Sequence, residues 1–531
     1  MNDRILLNAG PGRPRYAIVK IALISSVLVG LSFWLQGSIN IGLSDEGYLW
    51  YGAIHTALGK VPIRDFQSYD PGRYYWAAIW SFLFGDGILA LRLSTAVFQF
   101  IGLTLGLLAA RRAVSSYWAL ALVGLLLVVW MYPRHKLFDI SLSMAAVFFA
   151  VRLLERPTLW RHFSAGLFVG LAAFFGRNHG FYGFFAFFLL ILFIWMRIYR
   201  ADLAKRLFSW SGGIALGYFP MLVMVLFIPG FFDSFVDSVL FLFEQGTTNL
   251  PLPVPWPWRT DYSGMSPLDV LHKFFTGCWF LVMPIFYLFA GVSIFTVARE
   301  NIRERTLLIA STFVGVFYMH YAFSRPDIAH LAHGVHPFLL GAVSLPAVFG
   351  FNRKKALAIA TAVFLTLMTL FTMVLRTNYL AEYLLNRDMY AEYDVGGDTL
   401  LIDRRYAHII DAIKRFEREK VGPGEGLFLA PYFPILYPIL ERDSPTWAIY
   451  FLFKTPLEEQ EEMITALEEK NVRWAVVGDF ALNNIEENRF RNTNALLWWY
   501  LLENFEPTYN YGLPVNYIFM KKVKTAEFIK E

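Results

Sequence analysis

Four polar groupings interrupt this largely apolar chain of 531 residues, and their residue types limit the chemistry open to it. Asp45 and Glu46 stand side by side after the first apolar run, and Asp65 and Asp70 follow within residues 43–72. A carboxylate in a partly desolvated cleft has its pKa raised and serves as a general base. Adjacent residues on a helix face different ways, so one of Asp45 and Glu46 is expected to work as the base with the other in support. Gly47 permits a turn beside them. The competing role for the pair is a helix start, with Ser44 as N-cap and both acids favoured by the exposed amides.

The other three groupings are cationic: Arg134-His135, Arg177-Asn178-His179, and Arg325 with Asp327 and His330. Arginine grips a phosphate through paired donors. Three such clusters between apolar segments point to an anionic headgroup or phosphate ligand, with Asp70 beside them. Each arginine alone would serve equally to anchor its helix at a headgroup layer. His330, His333 and His336 recur every third residue, which on a helix shares one face and invites a metal. Gly334 and Pro337 disfavour a regular helix there, and no His-Glu-x-x-His pattern is present, so phosphate contact or snorkelling is the favoured role. No metal ligand is assigned, and a divalent cation stays open as a cofactor. The chain has no Walker loop, no Gly-x-Ser-x-Gly elbow and no Rossmann fingerprint. A transferred group is therefore expected to arrive on a lipid.

The elements that must position these groups are membrane helices. The chain is 56% hydrophobic and 18% aromatic, too apolar for an ordinary soluble enzyme. Apolar runs near 17–36, 88–110, 116–132, 137–153, 163–176, 180–196, 210–228, 277–298, 306–322, 333–350 and 356–375 predict about eleven spans. Residues 74–84 are apolar but short, and predict a helix lying at the interface. The basic start leads into the first run with no small-residue cleavage site, so an uncleaved span is expected. With a cytoplasmic N-terminus, the inner loops take Arg111-Arg112, Arg152, Arg156, Arg161, Arg197, Arg200, Lys205, Arg206, Arg299, Arg303, Arg305 and Arg353-Lys354-Lys355. The histidines gather on the opposite side, as do outer loops 37–87 and 229–276. The second of these carries PLPVPWPWR (251–259), a lid or a plain connector. Cys278 is the single cysteine, so no disulfide forms within the chain. No basic aromatic stripe suggests nucleic acid.

From residue 376 the charges become frequent. A helix is expected at 403–420 and another at 456–470. Strands are expected at 426–430, 472–479 and 516–523, giving a small α/β domain at 376–531 on the outer side, after a transmembrane domain at 1–375.

Asp45-Glu46 after the first span, then Tyr69-Asp70-Pro71-Gly72, the aromatic stretch Arg73–Phe84, Phe84-Gly85 and Arg92-Leu93 form a recognisable series. It resembles the GT-C superfamily of integral-membrane glycosyltransferases, in the bacterial branch akin to protein mannosyltransferases and aminoarabinose transferases. The likeness covers roughly residues 16–112. Asp70 stands where the family usually has a second proline. The resemblance implies a polytopic helical fold and a sugar donor on polyprenyl phosphate. It also implies inverting transfer to a protein, glycan or lipid hydroxyl outside a bacterial inner membrane. Asp45 would deprotonate that hydroxyl. Arg134, Arg177 and Arg325, with His135, His179 and His330, would stabilise the departing phosphate. Two other roles fit parts of the pattern: a transporter or flippase of an anionic lipid-linked substrate, and a membrane-anchored assembly factor with a partner-binding tail.

Overall fold

The computed structural model describes residues 14–245, 250–296, 298–349 and 353–523. The first helices are α1 (Pro14–Gln36), α2 (Asp45–Ala57), α3 (Pro71–Phe84), α4 (Ile88–Ala110), α5 (Tyr117–Val129), α6 (Leu137–Glu155), α7 (Leu159–Phe175) and α8 (Arg177–Arg197). Then come α9 (Leu203–Gly217), α10 (Phe219–Phe227), α11 (Phe231–Gln245), α12 (Pro267–Thr296), α13 (Thr306–Ser324), α14 (Ile328–Phe349) and α15 (Lys354–Thr369).

Helices α1, α4, α6, α8, α12, α13, α14 and α15 are long and apolar enough to cross a membrane. The pair α9–α10, bent by 55°, passes the same test as one span. This is a multi-pass membrane protein. The expectation of about eleven spans also counts α5 and α7, which are apolar but shorter; length and composition carry eight, or nine with the bent pair. Helix α7 lies tightly along α9. Gly166 and Gly170 on one, and Gly213 and Gly217 on the other, each face a backbone carbonyl where a Cβ would collide. Small residues four apart are what bring membrane helices this close.

The connection at 229–276 is not bare loop, since α11 occupies its first third. PLPVPWPWR is without helix or strand, and Trp256 stacks on Trp258 at 5.5 Å.

After α16 (Tyr379–Leu385) the chain forms a small sheet domain. It opens with a hairpin, β1 (Tyr390–Val395) against β2 (Asp398–Asp403), turned by Gly396-Gly397 at positive φ. Helix α17 (Arg404–Lys420), β3 (Gly426–Ala430), α18 (Leu436–Ile439), α19 (Leu457–Glu469) and β4 (Val472–Gly478) follow. The last elements are α20 (Phe490–Thr493), α21 (Ala495–Asn504), β5 (Phe505–Pro507) and β6 (Tyr517–Lys522). The sheet runs β3-β4-β6-β5, with β3 and β4 parallel across the α19 crossover. The two helices and three strands expected from the sequence lie within a residue or two of these bounds. The hairpin, β5 and α21 were not expected.

The tail is bonded to the segments around α2. Leu401 N–H donates to Ser38 O at 2.8 Å, and Asn40 N–H to Leu401 O at 2.7 Å. Gly47 packs against Ile435 so closely that a side chain there would displace it. Gln67 is the clip on the other side. Its N–H donates to Trp447 O at 2.9 Å, and its Oε1 accepts from Ile449 N–H at 3.1 Å and Tyr450 N–H at 3.0 Å.

Candidate active site at the start of helix α2

The adjacent acids Asp45 and Glu46 open α2 and diverge, as neighbours on a helix must. Glu46 turns inward and is buried. Its Oε1 accepts from Arg92 Nε and its Oε2 from Arg92 Nη2, both at 2.8 Å, and Oε2 also accepts from Gly42 N–H at 3.1 Å. Burial alone would raise its pKa, but the Arg92 charge and hydrogen bonds win and hold the carboxyl at about 2. Arg92 spends its remaining donors on Gly37 O and Asn40 O, at 2.7 and 2.8 Å. The pair thus pins the α1–α2 turn to α4. Asp45 points the other way, with its side chain 40% exposed. Its near neighbour is the His135 ring, Nε2 to Oδ2 at 3.8 Å.

His135 belongs to a single 3-10 turn, Arg134–Lys136, which leads into α6. The three side chains part company. Arg134 Nη2 donates to Gln36 O and Ile39 O, each at 2.6 Å, and its guanidinium lies 3.9 Å over the Tyr379 ring. His135 faces Asp45. The Lys136 ammonium stands 4.3 Å from the centre of the Tyr69 ring and has no hydrogen bond or ion pair among the described residues.

In the first turn of α6, buried Asp139 gathers groups from three other helices. Arg73 of α3 pairs with it at 3.4 Å through each Nη, and gives Nε and Nη2 to Phe175 O at 3.0 and 2.8 Å. His179 Nε2 of α8 lies 2.9 Å from Asp139 Oδ1, with its Nδ1 2.8 Å from the Tyr318 hydroxyl. The Tyr321 hydroxyl of α13 reaches Oδ1 at 3.4 Å. His333 of α14 meets the edge of Tyr321, ring centres 5.5 Å apart, and lies within electrostatic reach of Lys136, Asp139 and His135. It is 2% exposed, and both its ring nitrogens lack a partner among the described residues. A buried polar group without a partner is costly.

The other expected residues take internal partners. Asp70 N-caps α3 in extended conformation ahead of Pro71. Its Oδ2 accepts from Arg177 N–H at 2.7 Å and its Oδ1 from Arg177 Nε at 3.0 Å. Arg177 gives its other donors to Ser238 of α11. Arg325 pairs with Asp327 at 2.7 Å, donates to Leu250 O at 3.2 Å, and reaches Asn483 of the tail at 2.8 Å. His330 contacts Asp327 at 2.8 Å, and His336 sits between Ala332 O and Leu127 O. His330, His333 and His336 therefore meet three different environments. No group of three or more His, Cys, Asp or Glu side chains among the described residues is placed to hold a metal.

Of the residues singled out in the sequence, Asp45 and His135 are brought together. Glu46 and Arg134 bond to the α1–α2 turn, and His179 bonds to Asp139. Asp70–Arg177 and Arg325–Asp327–His330 form separate ion-paired groups. Sequence reasoning did not single out Lys136 or Asp139; it named His333 only through the spacing of three, and Arg73 and Tyr69 only within the series that carries the resemblance. Asp139 had a signal, since an acid inside an apolar span is a functional candidate by default. Lys136 adjoins a motif already singled out.

The tail completes this region. Tyr450 lies against Tyr48 at 5.6 Å, and Tyr48 meets Tyr69 edge to face at 4.9 Å. A run of rings thus leads from the cations past Asp45 to the sheet domain.

No protein-family profile and no curated protein sequence matches the chain. Solved structures do. ArnT from Cupriavidus metallidurans bound to undecaprenyl phosphate superposes with a TM-score of 0.55 at 14% identity, over 96% of this chain and 99% of that one. The Archaeoglobus fulgidus oligosaccharyltransferase in its apo form superposes with a TM-score of 0.51 at 13% identity, over 95% of this chain and 75% of that one. The likeness runs through both the helices and the sheet domain, and the chain has the fold of the GT-C membrane glycosyltransferases.

Proposed function

We propose that the protein transfers a sugar from a polyprenyl-phosphate donor to an acceptor hydroxyl, with inversion, on the extracytoplasmic side of a bacterial inner membrane. The observation that carries this reading is the placement of a solvent-reaching carboxylate, Asp45, within electrostatic reach of an ammonium, Lys136, that makes no hydrogen bond or close ion pair among the described residues. The solved neighbour holding undecaprenyl phosphate adds a donor class with the required phosphate.

Asp45 takes the proton from the acceptor oxygen as that oxygen bonds to the anomeric carbon. The bond from that carbon to the phosphate oxygen breaks on the opposite side, and its electron pair leaves with the lipid phosphate. The phosphate gains negative charge as it departs, so preorganised cations are worth more there than an acid. Lys136, with three unused N–H donors, and the unpartnered nitrogens of His333 are placed to receive it, with His135 between them and Asp45. Glu46, Asp70, Arg134, Arg177, His179, Arg325 and His330 act one step back. Their bonds are made within the protein, and they hold the α1–α2 turn, α3, α8 and α14 in register around the reacting groups. Asp45 and His135 alone make a poor divalent-cation site, with Lys136 close by, and no step here runs through a metal.

The division into a membrane domain at 1–375 and an extracytoplasmic domain at 376–531 fits this scheme, since the tail segment 447–450 is clipped to the loop carrying Tyr69. The acceptor is a protein, glycan or lipid hydroxyl presented there.

The test uses proteoliposomes loaded with radiolabelled polyprenyl-phosphate sugars and a mixture of hydroxyl acceptors. Transfer releases polyprenyl phosphate and labels an acceptor. Movement of intact donor across the bilayer with no covalent product would instead make the protein a flippase and overturn the reading.

A further inference from the structure

Lys136 raises a physical question. An ammonium in a partly buried site ordinarily takes a carboxylate partner, yet Asp139, within electrostatic reach, gives its bonds to Arg73 and His179, and Lys136 reaches no hydrogen-bond acceptor among the described residues. The group in contact with it is the face of Tyr69, at 4.3 Å. The guanidinium of Arg73 lies over that same ring at 4.8 Å. One phenol thus holds two like charges, and Tyr48 closes its edge at 4.9 Å, 88° to its plane.

The ring is itself fixed before any ligand arrives. Tyr69 N–H donates to the hydroxyl of Tyr74 at 3.0 Å, and Tyr69 O accepts from Ser68 Oγ at 2.9 Å. Tyr74 is fully buried. The next residue, Asp70, is locked to Arg177. The backbone on both sides of the ring is therefore set by groups outside the cation cluster.

A carboxylate would seat Lys136 by taking its N–H donors and cancelling its charge. An aromatic face attracts the same cation through its quadrupole, takes no hydrogen bond and leaves the net charge in place. We infer that Tyr69 is a positioning residue: its ring, which Arg73 also contacts, seats Lys136 with its N–H donors unengaged and directed at a phosphate monoester anion. The inference rests on the lipid-phosphate reading above, and adds that the affinity of the site for that anion runs through the π-face of residue 69. The phenolic hydroxyl is not required for this, so phenylalanine should serve.

The experiment measures binding of polyprenyl monophosphate to the purified full-length protein in detergent, by isothermal calorimetry. Tyr69→Phe is expected to bind within about twofold of wild type, and Tyr69→Leu, which keeps a bulky apolar side chain, about tenfold more weakly. In a Lys136→Gln background the same Leu substitution should cost less than about twofold, because its partner is gone. If Tyr69→Leu binds as wild type does, or loses tenfold in both backgrounds, the inference is overturned. Where the leucine variant melts early, singly to triply fluorinated phenylalanines at position 69 carry the test. Affinity should fall as fluorine drains the ring face, and a flat series overturns the inference. Wild-type protein that binds no polyprenyl monophosphate overturns the lipid-phosphate reading and this inference with it. Wild-type binding with an insensitive residue 69 overturns the inference alone.

Discussion

Replacing Glu46 by glutamine separates a structural acid from a catalytic one. The carboxylate is buried, makes two bonds of 2.8 Å to Arg92, and accepts a third from Gly42. It is held at about 2 against an ordinary 4.5, worth about 3 kcal/mol to the folded protein at neutral pH. Removing one partner of a buried pair costs about 3–5 kcal/mol, because the other charge is left uncompensated. The two routes agree. The sign follows from a depressed carboxyl: the stabilisation is complete above pH 4.5 and is lost as the pH falls from there toward 2. Thermal unfolding of the detergent-purified protein, followed by tryptophan fluorescence, should show Glu46→Gln melting several degrees below wild type at pH 7. The gap should narrow as the pH drops below 4.5. Well above the melting point transfer is lost, and well below it the folded variant keeps a measurable rate. A variant that melts with wild type and yet transfers nothing would refute the reasoning and place the chemistry on Glu46.

Three further outcomes are expected. Lys136→Gln should change melting little and raise the donor KM about tenfold or more, since the ammonium makes no hydrogen bond or ion pair among the described residues and loses only its contact with the Tyr69 ring; kinetics over a donor titration check it. Gln67→Ala removes the two side-chain bonds to the tail, each worth about 1 kcal/mol net, and hydrogen exchange at residues 449–450 should rise. Burial, with Lys60 next, pulls His55 of α2 down to about 4. The fold favours its neutral form, so the stability it contributes is complete above pH 6.5 and is lost as the pH falls toward 4. His55→Gln should flatten the melting curve over that window.

The helices long enough to cross a membrane were legible because hydropathy over about 20 residues is a local property. The helices at α17 and α19 and the strands β3, β4 and β6 were legible for a similar reason, their periodicity being unbroken. The β1–β2 hairpin carried a signal too, Gly396-Gly397 between alternating residues, a two-residue turn at positive φ. What local reading could not supply is the partner of each charge. Arg134, Arg177 and Arg325 look alike along the chain as phosphate-gripping arginines. In three dimensions each is taken up by carbonyls or a carboxylate brought from as far as Asn483 or Leu250. Lys136 looked incidental, and stands out once every other charge around it is matched. His333 was visible only as part of a spacing of three. Its significance is the absence of hydrogen-bond partners in a buried place, which is a tertiary fact.

The most direct measurement of the central claim is single-turnover transfer by Asp45→Asn. Polyprenyl-phosphate sugar is preloaded on the enzyme, and acceptor labelling is followed after mixing. With Asp45 as the base, the rate should fall by about 100- to 10,000-fold, while polyprenyl monophosphate binding and the melting temperature stay as in wild type, because the Asp45 side chain is 40% exposed and its one close basic neighbour among the described residues is His135 at 3.8 Å. Full single-turnover activity in that folded, donor-binding variant would contradict the account.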